Sequence, residues 1–205
     1  MKFSEFEHRL LKLKNKSLTG IKSHIELVPV DRLKSINEEV KIVKKDAAVS
    51  LCFFSDSNYE TRLPLILRNN YDGVHSNQIS FPGGKKEKFD EDFIETARRE
   101  TNEEIGLNKN EMKLQFKLTD IYIPPSNFLV KPYVFTIENQ PEIKPNSYEV
   151  VKVITPKLSS LIKLKINHGL TNNQKFNNPY FLIENHIVWG ATAMILNEFL
   201  SLFKQ

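Results

Sequence analysis

Glycine is scarce in this chain, seven of 205 residues, and four of the seven fall between Gly73 and Gly106. Glycine marks backbone that other residues adopt only under strain, so one short window holds most of the chain's special conformations. Within it, Ser80-Phe81-Pro82-Gly83-Gly84 reads as a sharp turn. Paired glycines let main-chain carbonyls and amides approach a ligand closely. The clearest helix of the sequence follows over 92–105. Ile94, Ala97, Thr101 and Ile105 recur at helical spacing as its buried stripe, and Gly106 ends it.

That helix carries Glu100, Glu103 and Glu104, which share an arc of about 100° beside the stripe. Glu100 and Glu104 repel one another as i,i+4 neighbours. Glu103 and Glu104 also lie in the last turn, where the helix dipole opposes a carboxylate by roughly 0.3–1 kcal/mol each. A helix built for stability would carry lysine there. A divalent cation is the simplest compensation, and hard carboxylate oxygens suit Mg²⁺ or Mn²⁺. Three glutamates alone also fit a solvated acidic face, with Arg98 and Arg99 merely paired to Glu95. The glycine turn immediately upstream is what favours a site.

The remaining pattern predicts a mixed fold. Residues 2–14 read as a short amphipathic helix packed on the domain. Residues 47–54 read as a buried strand with 62–68 as its hairpin partner. Further strands are predicted over 114–123, 129–137 and 148–154, with short ones over 180–183 and 186–189. A helix opens after Pro156, and an amphipathic helix closes the chain over 191–203. The Asn-rich stretch 166–179 reads as a loop, and the segment around Asp31-Arg32-Leu33 as helical. Strands mixed with a few helices indicate an α/β or α+β sandwich. Cys52 and Trp189 read as core residues.

Composition excludes several classes. Lys plus Arg number 29 against 25 Asp plus Glu, a net +4, far from the blocky charge of a dedicated nucleic-acid binder. The single cysteine excludes an internal disulfide and a zinc ribbon. No apolar run approaches the ~18 residues of a membrane span. The N-terminus shows no signal-peptide core, and the last three residues are no peroxisomal address. The expected setting is cytoplasmic, without membrane attachment.

The window from Gly84 to Leu107 resembles the Nudix box, G-x5-E-x7-R-E-U-x-E-E-x-G-U with U apolar. Gly84, Arg99, Glu100, Glu103, Glu104, Gly106 and Leu107 match. Asp90 stands at the first acidic position, eight residues rather than seven precede Arg99, and Thr101 replaces an apolar residue. The insertion and the aspartate resemble the coenzyme A pyrophosphatase subgroup. So does the upstream segment, in which Arg68, His75, Gln78, Phe81, Pro82, Gly83 and Gly84 match. Gly73 stands where Arg is frequent, and Asn77 where Gly is frequent. The segments at 124–128 and 187–193 are also similar to that subgroup.

The resemblance implies a Nudix-type α/β/α sandwich with a mixed β-sheet over 45–205, and an N-terminal extension, 1–44, packed on it. It implies a divalent-metal-dependent pyrophosphohydrolase cleaving coenzyme A, or its acyl or oxidised forms, to 3′,5′-ADP and 4′-phosphopantetheine. The implied metal ligands are Glu100, Glu103, Glu104 and the Gly84 carbonyl, holding Mg²⁺ or Mn²⁺. Glu100, Glu103 and Arg99 are the implied catalytic residues, with Glu103 a candidate base beside Glu142 and Glu149 outside the box. Arg68, His75, Gln78, Phe81 and Gly83 are the implied substrate contacts, with Lys85 or Lys86 near phosphates. Other nucleoside diphosphate derivatives, such as ADP-ribose or NADH, and a silent nucleotide- or RNA-binding module remain as alternative readings. A monomer or homodimer is expected.

Overall fold

A computed structural model of the chain describes residues 1–29, 45–69, 78–171 and 174–204. The segment around Asp31, and Gly73, His75 and Asn77, lie outside the described residues.

Alternation along β1 (Lys45–Ser55) decides the architecture. Ala47, Leu51 and Phe53 point into one buried cluster, and Ala48, Cys52 and Phe54 into another. Side chains of a strand alternate between faces, so β1 is buried on both sides. It pairs in parallel with β8 (Phe128–Ile137) over ten residue pairs. On its other edge β1 pairs antiparallel with β2 (Thr61–Arg62) and with β5 (Gly83–Lys85). The far edge of β8 carries β6 (Lys113–Lys117) and β7 (Ile121–Ile123), both antiparallel. The result is a mixed sheet.

Helices cover both of its faces. α1 (Phe3–Leu13), α2 (Ile21–Ile25) and the C-terminal helix lie on one side. The helix Phe93–Ile105, α3 here, lies on the other with Ala97 and Ile105 buried. Asp92 caps α3 by accepting from the Glu95 N–H, and Gly106 ends it at φ 73°. In α1, Phe3, Phe6, Leu10 and Leu13 form the buried stripe. The Phe6 ring lies 4.8 Å from Phe53, and Phe53 stacks on Phe199 at 4.7 Å.

Four elements differ from the sequence reading. Only Thr61 and Arg62 pair with β1. Pro64 has no N–H for the ladder, and the chain leaves the sheet there. β3 (Leu65–Arg68) instead joins β4 (Ile79–Ser80) and β9 (Val150–Ile154) in a second antiparallel sheet. The strand expected over 114–123 is interrupted after Lys117: Leu118 N–H still bonds Pro132 O, but Pro132 has no N–H to return, and β6 and β7 are separate. The Asn-rich stretch is not a loop. It holds β10 (Asn167–Thr171) and the start of β11 (Gln174–Ile183), because ladder pairing overrides a composition that disfavours strand. β11 turns through Glu184 and Asn185, both at positive φ, into β12 (His186–Trp189). After the short α4 (Leu158–Leu161) and these strands, α5 (Gly190–Ser201) is buried continuously from Ala193 to Leu200, not amphipathic. It packs against α2 and against β11 and β12.

Candidate active site

Gly83 and Gly84, expected in a sharp turn, instead lie in strand β5, because pairing with β1 extends them, and they form the seat of the site. A Cβ on Gly83 would stand 2.4 Å from the Ala48 carbonyl oxygen, and its φ is 153°. Only glycine lets β5 run this close to β1. A Cβ on Gly84 would stand 2.5 Å from the carboxylate of Glu100. The glycine therefore makes room for that side chain.

Glu104 is 1% exposed. It accepts from the Gly83 N–H at 2.8 Å and from Arg68 Nη1 at 3.0 Å. Burial pushes its pKa up to about 7 against the pull of Arg68 and the Gly83 amide, and Glu100 and Glu149 push the same way. Glu100 is raised too, first by burial, with Glu103 and Glu149 adding repulsion against Arg99. So the carboxylates of Glu100 and Glu104 share one field with Glu149, which lies before β9 and far away in sequence.

Arg99 organises the other flank. Nε and Nη2 grip Asp90 at 2.8 and 3.0 Å, Nη2 also donates to the Lys85 carbonyl at 3.0 Å, and Nη1 donates to Glu103 at 2.8 Å. Glu100 Oε1 lies 2.9 Å from Nη1. The aspartate with its extra residue thus forms the two-pronged pair that a carboxylate makes with guanidinium. Asp90 is also bonded by the Glu87 N–H and Thr96 Oγ1, and Arg99 above all holds its pKa at about 2. Asp90 in turn raises the pKa of Arg99, which stays charged. Arg98 instead bonds the Met112 carbonyl and belongs to the packing. Thr101, the other departure, is fully buried with a purpose: its hydroxyl donates to Ala97 O at 2.6 Å and meets Ser50 Oγ of β1 at 2.5 Å.

A cavity of about 600 Å³ opens beside this edge. Arg68, Gln78, Phe81, Gly83, Gly84 and Lys85 line it. Phe81 is at the same time 2% exposed and part of the core. Lys86 bonds the Asp90 carbonyl and does not line the cavity. Trp189, expected in the core, stands partly exposed on the cavity wall, because β12 ends there and α5 begins. Glu142 pairs with Lys144 on the exposed surface. Glu149 is the residue that sequence spacing could not place; only the pairing of β9 with β3 brings it to the box.

Among the described residues, no three acidic, His or Cys side chains converge as a ready cation cluster. Glu104 is turned to Arg68 and Gly83, and Glu100 to Arg99. The donor set still fits a hard cation. Burial raises the pKa of both Glu100 and Glu104 even with Arg99 and Arg68 beside them, and the two carboxylates lie against Gly84 and Gly83.

The NUDIX domain family model matches residues 44–171. Among curated proteins, the chain is similar to the human mitochondrial coenzyme A diphosphatase NUDT8, 36% identical over 129 residues, 60% of this chain and 54% of that protein. It is also similar to Nudix hydrolase 15, mitochondrial, of Arabidopsis thaliana, 30% identical over 169 residues, 74% of this chain and 56% of that protein. The chain thus spans little more than half the length of these relatives. Among solved structures, it resembles a MutT/nudix family protein from Enterococcus faecalis at TM-score 0.52 and 13% identity, covering 85% of this chain and 66% of the other. A MutT protein from Methanosarcina mazei Go1 matches at TM-score 0.51 and 15% identity, covering 80% of this chain and 99% of the other. With the box residues assembled on a sandwich of this kind, the chain belongs to the Nudix family.

Proposed function

We propose that the protein is a pyrophosphohydrolase dependent on Mg²⁺ or Mn²⁺. Its substrate is coenzyme A, or an acyl or oxidised form, cleaved at the diphosphate to 3′,5′-ADP and 4′-phosphopantetheine. One observation carries this reading: the carboxylates of Glu100 and Glu104 are set against Gly84 and Gly83, and those glycines, with Arg68, line a cavity of about 600 Å³. The similarity to coenzyme A diphosphatases supports the choice of substrate.

Glu100 and Glu104, with the Gly84 carbonyl, would hold the cation, and Glu103 would complete the set. Held there, a divalent cation would supply charge neutralisation for the diphosphate oxygens and would lower the pKa of a water. Arg68 balances Glu104 and stands at the cavity wall, where it can meet a phosphate as well. Arg99 fixes Glu100 and Glu103 by gripping Asp90, so the acidic face is pre-set. Gln78, Phe81 and Gly83 shape the substrate side, and His75 is assigned there by motif alone. Glu103 and Glu149 are exposed carboxylates beside the buried pair, suited to take the proton of the attacking water. We assign catalysis to 45–205, treat 1–44 as its extension, and place the protein in a reducing compartment such as the cytoplasm, consistent with buried Cys52.

Product analysis tests the reading. The protein is incubated with Mg²⁺ or Mn²⁺ and, separately, coenzyme A, ADP-ribose, NADH and a nucleoside triphosphate. The expected result is 3′,5′-ADP from coenzyme A in excess over all other turnover, abolished by chelation. Glu100→Gln should lower kcat by about two orders of magnitude or more with an unchanged melting temperature. Preference for ADP-ribose or NADH would refute the substrate while keeping the carboxylate chemistry.

A further inference from the structure

The region matched by the family model, 44–171, lines only part of the cavity. It contributes the catalytic edge and, opposite, Ile123 to Ser126 and Phe128. The far wall comes from outside that region. Pro29 arrives from the N-terminal segment, Asn178 from β11, Trp189 from the end of β12, and Ala191, Thr192 and Ile195 from the start of α5. The two flanks meet at a buried polar latch. The Glu198 side chain is fully buried on α5. It accepts from the Gly20 N–H at 3.3 Å, from Thr119 Oγ1 at 2.5 Å and its N–H at 3.3 Å, and from His24 Nε2 at 3.0 Å. An ionised carboxylate only accepts, so His24 carries a proton on Nε2. Hydrogen bonds keep Glu198 ionised despite burial, those from His24 and Thr119 foremost. Asn197 adds bonds to Ser23 O at 2.9 Å and Glu26 Oε2 at 2.8 Å. Leu27 and Val28 then plug into the core, which sets Pro29 on the cavity wall.

The charge of the cavity is uneven. Among the described residues, its cationic lining side chains are Arg68 and Lys85, both at the catalytic edge. Among the described residues, the far wall carries no charged side chain; it is apolar with Asn178 and Thr192 as polar points. A 3′,5′-ADP group is a dense anion and belongs near cations. An uncharged aliphatic chain with amides fits apolar walls bearing a few hydrogen-bonding groups.

We propose that the two flanks together form a specificity wall for the uncharged, amide-bearing arm of the substrate, with Glu198 as the positioning residue that holds Gly20 to Pro29 in place. The inference rests on the coenzyme A reading above and adds to it a role for segments outside the family match.

Titration calorimetry of the full chain with each product separates the two halves of the substrate. The wild type is expected to bind both 4′-phosphopantetheine and 3′,5′-ADP. Pro29→Trp, a change at a partly exposed position, should weaken 4′-phosphopantetheine by about tenfold and leave 3′,5′-ADP within about twofold. In turnover, the KM for coenzyme A should rise with kcat nearly unchanged. Glu198→Ala should act in the same direction. Glu198→Gln, which keeps an acceptor for Thr119 and Gly20, should restore binding. If Pro29→Trp weakens neither product, or weakens 3′,5′-ADP as much, the wall does not exist as described. A wild type that binds neither product and leaves coenzyme A intact overturns the substrate reading, and the wall with it.

Discussion

A methyl group on Gly84 would collide with the end of a flexible side chain, and one on Gly83 with backbone. The two substitutions should therefore part company. Gly84→Ala forces the Glu100 carboxylate aside, so turnover should fall by about a hundredfold while the urea midpoint hardly moves. Gly83→Ala meets the Ala48 carbonyl at a φ of 153°, and should cost about 2 kcal/mol or more in chemical denaturation. Asp90 gives a pH signature. Its folded pKa, about 2, lies below its ordinary value of 3.8. Its contribution is therefore complete above that ordinary value and lost as the pH falls through the folded one. Stability curves between about pH 5 and pH 2 should show this limb, and Asp90→Asn should flatten it while costing about 2 kcal/mol at neutral pH. Cys52 is fully buried, and burial raises its thiol pKa, so the native protein should resist thiol reagents that label the unfolded chain.

Between elements, the contact of α3 with β1 turns on one pair of hydroxyls. Ser50 and Thr101 bond to each other at 2.5 Å with no exposure. Thr101→Val leaves the Ser50 hydroxyl buried without this partner, and should cost about 1–3 kcal/mol. Adding Ser50→Ala should recover most of that loss, and a double-mutant cycle in urea measures the coupling. Helix α3 itself was legible residue by residue: its stripe and its terminal glycine are local signals. The departure at Thr101 was visible, but its reason was not, since Ser50 lies 51 positions away. The β10–β11 hairpin escaped for the opposite cause. Its Asn-rich sequence carries weak strand propensity, and pairing, which is not a local property, decided it.

Across the whole molecule, the N-terminal helix is part of the main core. Phe6 is fully buried among Phe53, Phe199 and Phe203. Phe6→Ala should cost about 3–5 kcal/mol. Unfolding followed by fluorescence and by circular dichroism should remain one coincident transition; two separated transitions would show the extension melting by itself. The sequence by itself determined the parts whose signals are close together in the chain: the glycine pair, the acidic helix with its wrong-end charges, the buried strand β1, and through their spacing the family. Tertiary structure alone decided what depends on contacts between distant segments. It brought Glu149 to the box carboxylates, paired β3 with β9 instead of β1, put Trp189 on the cavity wall, and tied His24 to Glu198 across 174 positions. Periodicity and capping act over a few residues, whereas burial and ladder pairing are fixed only when the whole chain has closed on itself.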